Sequence, residues 1–473
     1  MEVIDYVIFA TYLIVMIGVG VFFYKKNNSV DDYFLGGRKM NAWHIGLSVV
    51  ATDVGGGFSI GLGGLGFVMG LSGSWMLFTG LLGAWISGVW LIPRIYKISA
   101  LRSVFSLPDV FRYYYGIPSA LMAAIISFVG YMGFTASQIV AGAKLASVTF
   151  EVFDYTTLLW IMGLFTVFYT ALGGLKAVIY TDTIQWMILM FGLIFLGIPF
   201  AYVAVGGWYS IQQAIPNEML SFGNVGFVEL INWFITIVPI WFVGMTLYQR
   251  IFASRNEMEA KKAWFLAGIL EWPLMAFMGV VLGVLSRVAF EQGLISFNGN
   301  IDAEMGLPLL LKEVLPAGVT GMLLAAYFSA IMSTADSCLM AASGNVVTDF
   351  LGKIFRFKPT QKLRLSQWST LILGVGAVYI AFKQKDVLEL MLLSYAFMVS
   401  GLFVPMIMGV MLKKRSTWAA PLSMLAGGLT TVFLEVKEIP IYLDINANAI
   451  GIIASLIVYG LIHHLSKKTD AYF

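Results

Sequence analysis

Three stretches of this 473-residue chain place oxygen chemistry inside sequence that is otherwise almost entirely apolar. In VVATDVGGGFSIGLGGLGFVMG, Val49 to Gly70, the carboxylate of Asp53 comes just before three consecutive glycines, Gly55, Gly56 and Gly57. In SAIMSTADSCLMAASGNVVTD, Ala330, Ser333, Thr334 and Ser337 recur at i, i+3, i+4 and i+7, which is one face of a helix. Asp336 borders that face, and Asp182 stands in GGLKAVIYTDTIQ. Hydroxyls are neutral, hard ligands of the kind sodium prefers, and few formal charges suit an ion that must also leave. An acid at membrane depth costs about 2.5–3.5 kcal/mol or more, which makes Asp53, Asp182 and Asp336 functional candidates. Each feature also has a plainer explanation. Serine and threonine bond back to carbonyls one turn earlier or to a neighbouring helix. Asp182 near a helix end suits a cap, and Gly61, Gly63, Gly64 and Gly66 suit close helix packing.

The elements that must position these residues are membrane helices. The chain is 59% apolar and 12% charged, whereas soluble domains carry about a quarter charged residues. Apolar runs of roughly 20 residues follow one another from end to end. The expectation is an all-α polytopic membrane protein, one transmembrane domain over 1–473 without a soluble appendage. The scattered basic residues give no basis for nucleic-acid binding. A single cysteine, Cys338, excludes an intrachain disulfide or a cysteine-built metal cluster, and His44, His463 and His464 show no ligand spacing. No nucleophile–base–orienter set is apparent, so the chain does not read as an enzyme.

Hydropathy predicts about thirteen spans, near 5–24, 43–70, 72–98, 117–148, 155–174, 178–204, 227–250, 263–289, 318–347, 365–382, 386–412, 417–435 and 445–466. The apolar piece at 307–316 is too short to cross and is expected to cap an external loop. Glu2 and Asp5 precede the first run, and Lys25 and Lys26 follow it, which reads as a retained span with its N-terminus outside. Alternation then places most of the 29 Lys and Arg residues, Arg250 among them, in cytoplasmic loops and the C-terminus inside.

Spans from 43–204 and 227–412 form two sets of five, with 5–24 in front and two spans over 417–466 behind. The first member of each set is interrupted, 43–70 by DVGGG and 227–250 by VPIWFVGMTLYQ, in which Pro239 removes a donor and Gly244 loosens the helix. An odd number of spans per set inverts the second relative to the first, and paired interruptions point to a binding site. Unwound backbone in a bilayer is tolerated where it lines a protein-walled cavity, and there its carbonyls can hold a cation.

The motifs ATDVGGGF, GGLKAVIYTDTIQ and SAIMSTADSCLMAASGNVVTD, with DDYFLGGRKMNAW and YQRIFASRN, resemble the sodium/solute symporter family of proline, glucose, sialic acid, pantothenate and choline carriers. The resemblance implies a leucine-transporter-like, five-plus-five inverted-repeat core. It implies sodium-coupled import of a small polar organic solute by alternating access across the plasma (inner) membrane. By motif position it implies a sodium site of the Ala51, Val54 and Ala330 carbonyls and the Ser333 and Thr334 hydroxyls. Asp182 and Ser337 would form a second sodium site or a release path. VGGGF and STADS look most like the choline-carrier branch, but that branch has Trp where Asp53 stands, and the proline-carrier branch has an acid there. Candidates for the solute pocket are Asp53, Phe58, Ser59, Trp75, Tyr131, Gln138, Trp241, Tyr248 and Tyr395; packing or interfacial anchoring competes for each aromatic. The solute stays open among amino acid, amine, sugar and carboxylate, the ion count between one and two, and the role of Asp53 between solute and ion. A proton-coupled carrier, a transporter-like sensor and a channel are the competing functions.

Overall fold

The computed structural model describes residues 2–24, 40–53, 55–101, 104–150, 153–297 and 301–466. Side chains at 56–59 and 172–184, among others, fall outside that description. Val54 and the side chains of Phe58, Ser59 and Asp182 therefore lie outside the described residues.

Apolar runs fold as helices here because a bilayer offers no partner for free backbone groups. The helices used below are α1 (Val3–Tyr24), α2 (Ala42–Asp53), α3 (Gly55–Met69), α4 (Trp75–Trp90), α5 (Ile117–Thr149), α6 (Tyr155–Gly192), α7 (Phe227–Val243), α8 (Met245–Ala253), α9 (Glu257–Ile269), α10 (Ala276–Glu291), α11 (Ala303–Val314), α12 (Val319–Gly344), α13 (Pro359–Lys383), α14 (Val387–Met411), α15 (Ala419–Val436) and α16 (Ala447–Ser466). Side-chain caps set several starts: Asp154 accepts from the Thr157 amide, Asn256 from Glu259 and Asp386 from Glu389. Among the described residues nine helices are long and apolar enough to cross a membrane, and the pair α7 and α8, bent by 42°, makes a tenth. The predicted figure of thirteen spans is not reproduced individually.

The predicted spans 155–174 and 178–204 fall in one run of helical backbone, α6 and its continuation to Ala204. A straight α6 alone would measure about 57 Å, nearly twice the hydrocarbon thickness of a bilayer. Contacts show instead that the segment returns on itself. Tyr155 interacts electrostatically with Asp302 and Glu304, and Ile198–Ala204 packs on α11, so both ends lie at the same end of the bundle. Thr170 donates to Asp336, and Gln185 Nε2 donates to Tyr12 Oη at 3.2 Å, which puts the two flanks at similar depth.

The helix α12, buried along most of its length, runs between α5, α6, α1 and the broken pair α2–α3. Its start is held by Asp5, whose Oδ1 accepts from the amides of Gly318 at 2.7 Å and Gly321 at 2.8 Å. This N-terminal acid is thus a buried cap. At the same end α11 lies across the bundle, and Glu304 accepts from Lys144 Nζ at 2.7 Å and from the amides of Val387 and Leu388 at 3.0 and 2.9 Å. One carboxylate thereby ties α5, α11 and α14 together. Lys144→Met leaves that acid buried with its charge uncompensated. The expected loss is about 3–5 kcal/mol, read as a lower unfolding temperature in detergent, with partial recovery when Glu304→Leu is added.

Candidate functional site

The first interruption falls where the glycines put it. Helix α2 ends at Asp53, and Gly55 opens α3 at φ +45°, a left-handed conformation that costs other residues about 1–2 kcal/mol. A Cβ on Gly55 would also overlap Thr334 Oγ1 and lie 2.9 Å from Thr334 Cβ. The unwound turn therefore rests directly on the hydroxyl face of α12. There the Thr334 hydroxyl donates to the Ala51 carbonyl at 2.7 Å, with the Ala330 carbonyl one turn earlier on α12 at 3.1 Å as its alternative acceptor. Three neutral oxygens from two helices are thus in direct contact, all on fully buried residues. Ser333, one residue earlier on α12, is buried as well. This set fits a hard monovalent cation, since it offers oxygen donors without formal charge and a close approach that only glycine permits.

Ser337, one turn further along α12, has a different neighbour. Its Oγ accepts from Arg250 Nη2 at 2.7 Å and from Thr52 Oγ1 at 3.1 Å. Arg250 Nη2 also donates to Thr52 Oγ1 at 2.6 Å and Ser48 Oγ at 3.1 Å. The expectation of Arg250 as a cytoplasmic-loop charge is thus overturned: the guanidinium is fully buried. Helix α8 continues past the predicted span end at 250 and packs against α2, drawing Arg250 into the bundle. Asp336, on the side of α12 facing α6, accepts from Thr170.

The carboxyl of Asp53 meets a different helix. Tyr395 Oη, from α14, donates to Asp53 Oδ1 at 3.0 Å, joining two predicted pocket residues 342 positions apart. The Glu271 carboxyl is in side-chain hydrogen-bond reach of Asp53. It is fully buried and sits where the helical run α9–α10 is broken, Trp272 having φ −137° and ψ 123°. Gly80 of α4 makes room for it, because a Cβ there would overlap Glu271 Oε2.

The second interruption is at Gly244, with ψ 115° between α7 and α8. Pro239, five residues earlier, stays inside α7. Two predicted pocket tyrosines serve this break. Tyr131 Oη accepts from the Thr246 amide at 3.2 Å and bonds the Thr246 hydroxyl at 2.9 Å. Tyr248 Oη donates to the Phe242 carbonyl at 2.9 Å. Both satisfy groups that unwinding frees.

Three other candidates make contacts of their own. Gln138 Nε2 is 3.3 Å from Ser137 Oγ. Trp241 packs on Gly83 and, edge to face at 6.2 Å, on Trp264. Trp75 is half-buried near one end of the bundle, where its Nε1 donates to the Phe222 carbonyl at 3.0 Å and its ring stacks on Trp272. Sequence reasoning missed Glu271 and the interior placement of Arg250. A lone acid followed by Trp-Pro inside a predicted span was the available signal for Glu271; nothing comparable marked Arg250.

Comparison with known proteins gives a consistent neighbourhood. The family model described as the sodium:solute symporter family matches residues 33–427. The sodium/proline symporter of Escherichia coli is 29% identical over 443 residues, covering 90% of this chain and 86% of that protein. The osmoregulated proline transporter of Bacillus subtilis is 27% identical, covering 94% and 92%. Among solved structures, a substrate-bound, outward-open Na⁺-coupled sialic acid symporter superposes with a TM-score of 0.80 at 21% identity, covering 98% of both chains. A nucleobase-cation-symport-1 family transporter superposes with a TM-score of 0.52 at 12% identity, covering 93% of this chain and 95% of that one.

Proposed function

The chain belongs to the sodium:solute symporter family, and from that premise we propose that its sodium ion sits between α2 and α12 while its solute lies beside Asp53 and Tyr395. It is a multi-pass plasma-membrane protein and a sodium-coupled symporter of a small organic solute, not an enzyme. The single observation that carries the ion assignment is the convergence of the Ala51 and Ala330 carbonyls on Thr334 Oγ1. Ser333 completes the set, and Val54 is assigned to it by motif position alone.

Sodium is cargo here, and its work is done by the protein oxygens that meet it. By bridging α2 and α12, the ion holds the Gly55 turn in one shape and so fixes where Asp53 points. Coupling is reciprocal: if sodium raises solute affinity, the solute raises sodium affinity by the same free energy. One charge moving through about 100 mV contributes about 2.3 kcal/mol, and a tenfold sodium gradient adds about 1.4 kcal/mol. We read 43–204 and 227–412 as inverted repeats whose broken helices face each other across this site, with the N-terminus and the Glu304 end outside and the C-terminus in the cytoplasm. Tyr131 and Tyr248 support the second break in this reading, and Asp182 and Ser337 belong to the inward release path. The names of the relatives put an amino acid among the first solutes to test.

Uptake of labelled proline, or of a solute found by screening, into vesicles at fixed pH and fixed membrane potential tests the coupling. Replacing sodium by potassium is expected to reduce uptake to background. Transport unchanged in potassium, with dependence on a proton gradient instead, contradicts the sodium assignment.

A further inference from the structure

The notable charge arrangement in this interior is acidic. Asp53 and Glu271 are 6% and 0% exposed and lie within hydrogen-bond reach of one another. Tyr395 Oη donates to Asp53, whereas among the described residues no amide, hydroxyl or cationic group donates to either oxygen of Glu271. Two ionised carboxylates in that position repel strongly in a low-dielectric interior, and a buried acid without a donor is costly. The arrangement is built rather than incidental. The helical run is broken at Trp272 just where Glu271 turns inward, and Gly80 leaves the space its Oε2 fills. The guanidinium of Arg250, from α8, donates to Ser48, Thr52 and Ser337.

Tyr395, Tyr131 and Cys338 interact electrostatically with Asp53.

Resting on the reading that Asp53 and Tyr395 face the solute, we propose that Glu271 is a second solute-binding acid and that the pair selects an organic ammonium lacking a neighbouring carboxylate. A zwitterion such as proline would bring its carboxylate into a site that already holds two acids, and that repulsion sets the preference. An amine satisfies the donor-poor Glu271 with its N–H groups and offsets the negative charge.

Pyrrolidine and proline form the decisive pair of probes, because they differ by the carboxylate alone. Binding of each to the purified full-length protein is measured by calorimetry in detergent at constant sodium, with wild type, Glu271→Gln and Thr334→Ala. Wild type is expected to bind pyrrolidinium at least about tenfold more tightly than proline, and Glu271→Gln to remove most of that difference. Proline binding more tightly than pyrrolidinium in wild type overturns the proposal, as does binding of neither probe, and neither result depends on the variant folding. A preference unaltered in a folded Glu271→Gln protein overturns it as well. Loss of sodium-induced thermal stabilisation in Glu271→Gln contradicts it by giving the pair to the ion. Sodium-induced stabilisation of wild type that disappears in Thr334→Ala reports separately on the symport reading, so the two can fail independently.

Discussion

Replacing Thr334 by alanine is expected to raise the sodium concentration for half-maximal uptake by about ten- to a hundredfold, with protein abundance in the membrane changed by less than about twofold. The range follows from the removed group. A buried oxygen that contacts a ligand is worth about 1–3 kcal/mol, and each 1.4 kcal/mol is a factor of ten in affinity. Thr334 Oγ1 is the only side-chain atom seen to meet both the Ala51 and Ala330 carbonyls among the described residues. Its loss leaves two carbonyls from different helices with nothing to join them. Adding Ser333→Ala should deepen the effect, and Thr334→Ser, which keeps the hydroxyl, should restore most of the sodium affinity. Uptake measured over a range of sodium concentrations at saturating solute separates these outcomes. If the Thr334→Ala/Ser333→Ala protein keeps wild-type sodium dependence, the ion lies elsewhere.

Gly55→Ala should be at least as damaging, and for a different reason. The substitution forces an L residue to φ +45°, at about 1–2 kcal/mol, and drives its methyl into Thr334 Oγ1 with Thr334 Cβ at 2.9 Å. Overpacking of that kind adds about 1–3 kcal/mol. The overlap can be relieved only by separating α3 from α12, which opens the oxygen set. Sodium-dependent uptake is expected to fall by about a hundredfold or more, even when the protein reaches the membrane. Gly142→Ala is the matched control: its Cβ would meet Ile331 and Phe328 at an ordinary 3.6 Å. Comparable activity of the two alanine variants would mean that the Gly55 turn is not held against α12 during transport.

The parts of the site legible in sequence were those written into local periodicity. Three glycines after an acid in an apolar run have no good use in a regular span, and the break is there. The i, i+3, i+4, i+7 spacing of Ala330, Ser333, Thr334 and Ser337 put them on one face before any fold was known. What periodicity could not carry was which neighbour each side chain meets. Ser337, expected in a second sodium site or a release path, also receives Arg250, because α8 runs on past the predicted end of its span and packs on α2. Glu271 was hidden by hydropathy averaging, since one acid in ILEWPLM barely lowers a strongly apolar window. Tyr131 and Tyr248 were read as pocket walls, yet their hydroxyls serve the backbone freed at Gly244, a demand that exists only once two helices meet. Pro239 illustrates the same limit: a missing donor marks a weak point, but the chain bends five residues later where Gly244 adopts an extended conformation.

The central claim is that a sodium ion is held where α2 and α12 meet, and equilibrium binding of radioactive sodium to the purified protein without solute tests it most directly. Wild type should show a saturable component, displaced by unlabelled sodium and not by potassium, that is lost or weakened by about tenfold or more in the Ser333→Ala/Thr334→Ala protein. Saturable sodium binding of the same affinity in both proteins would contradict the account.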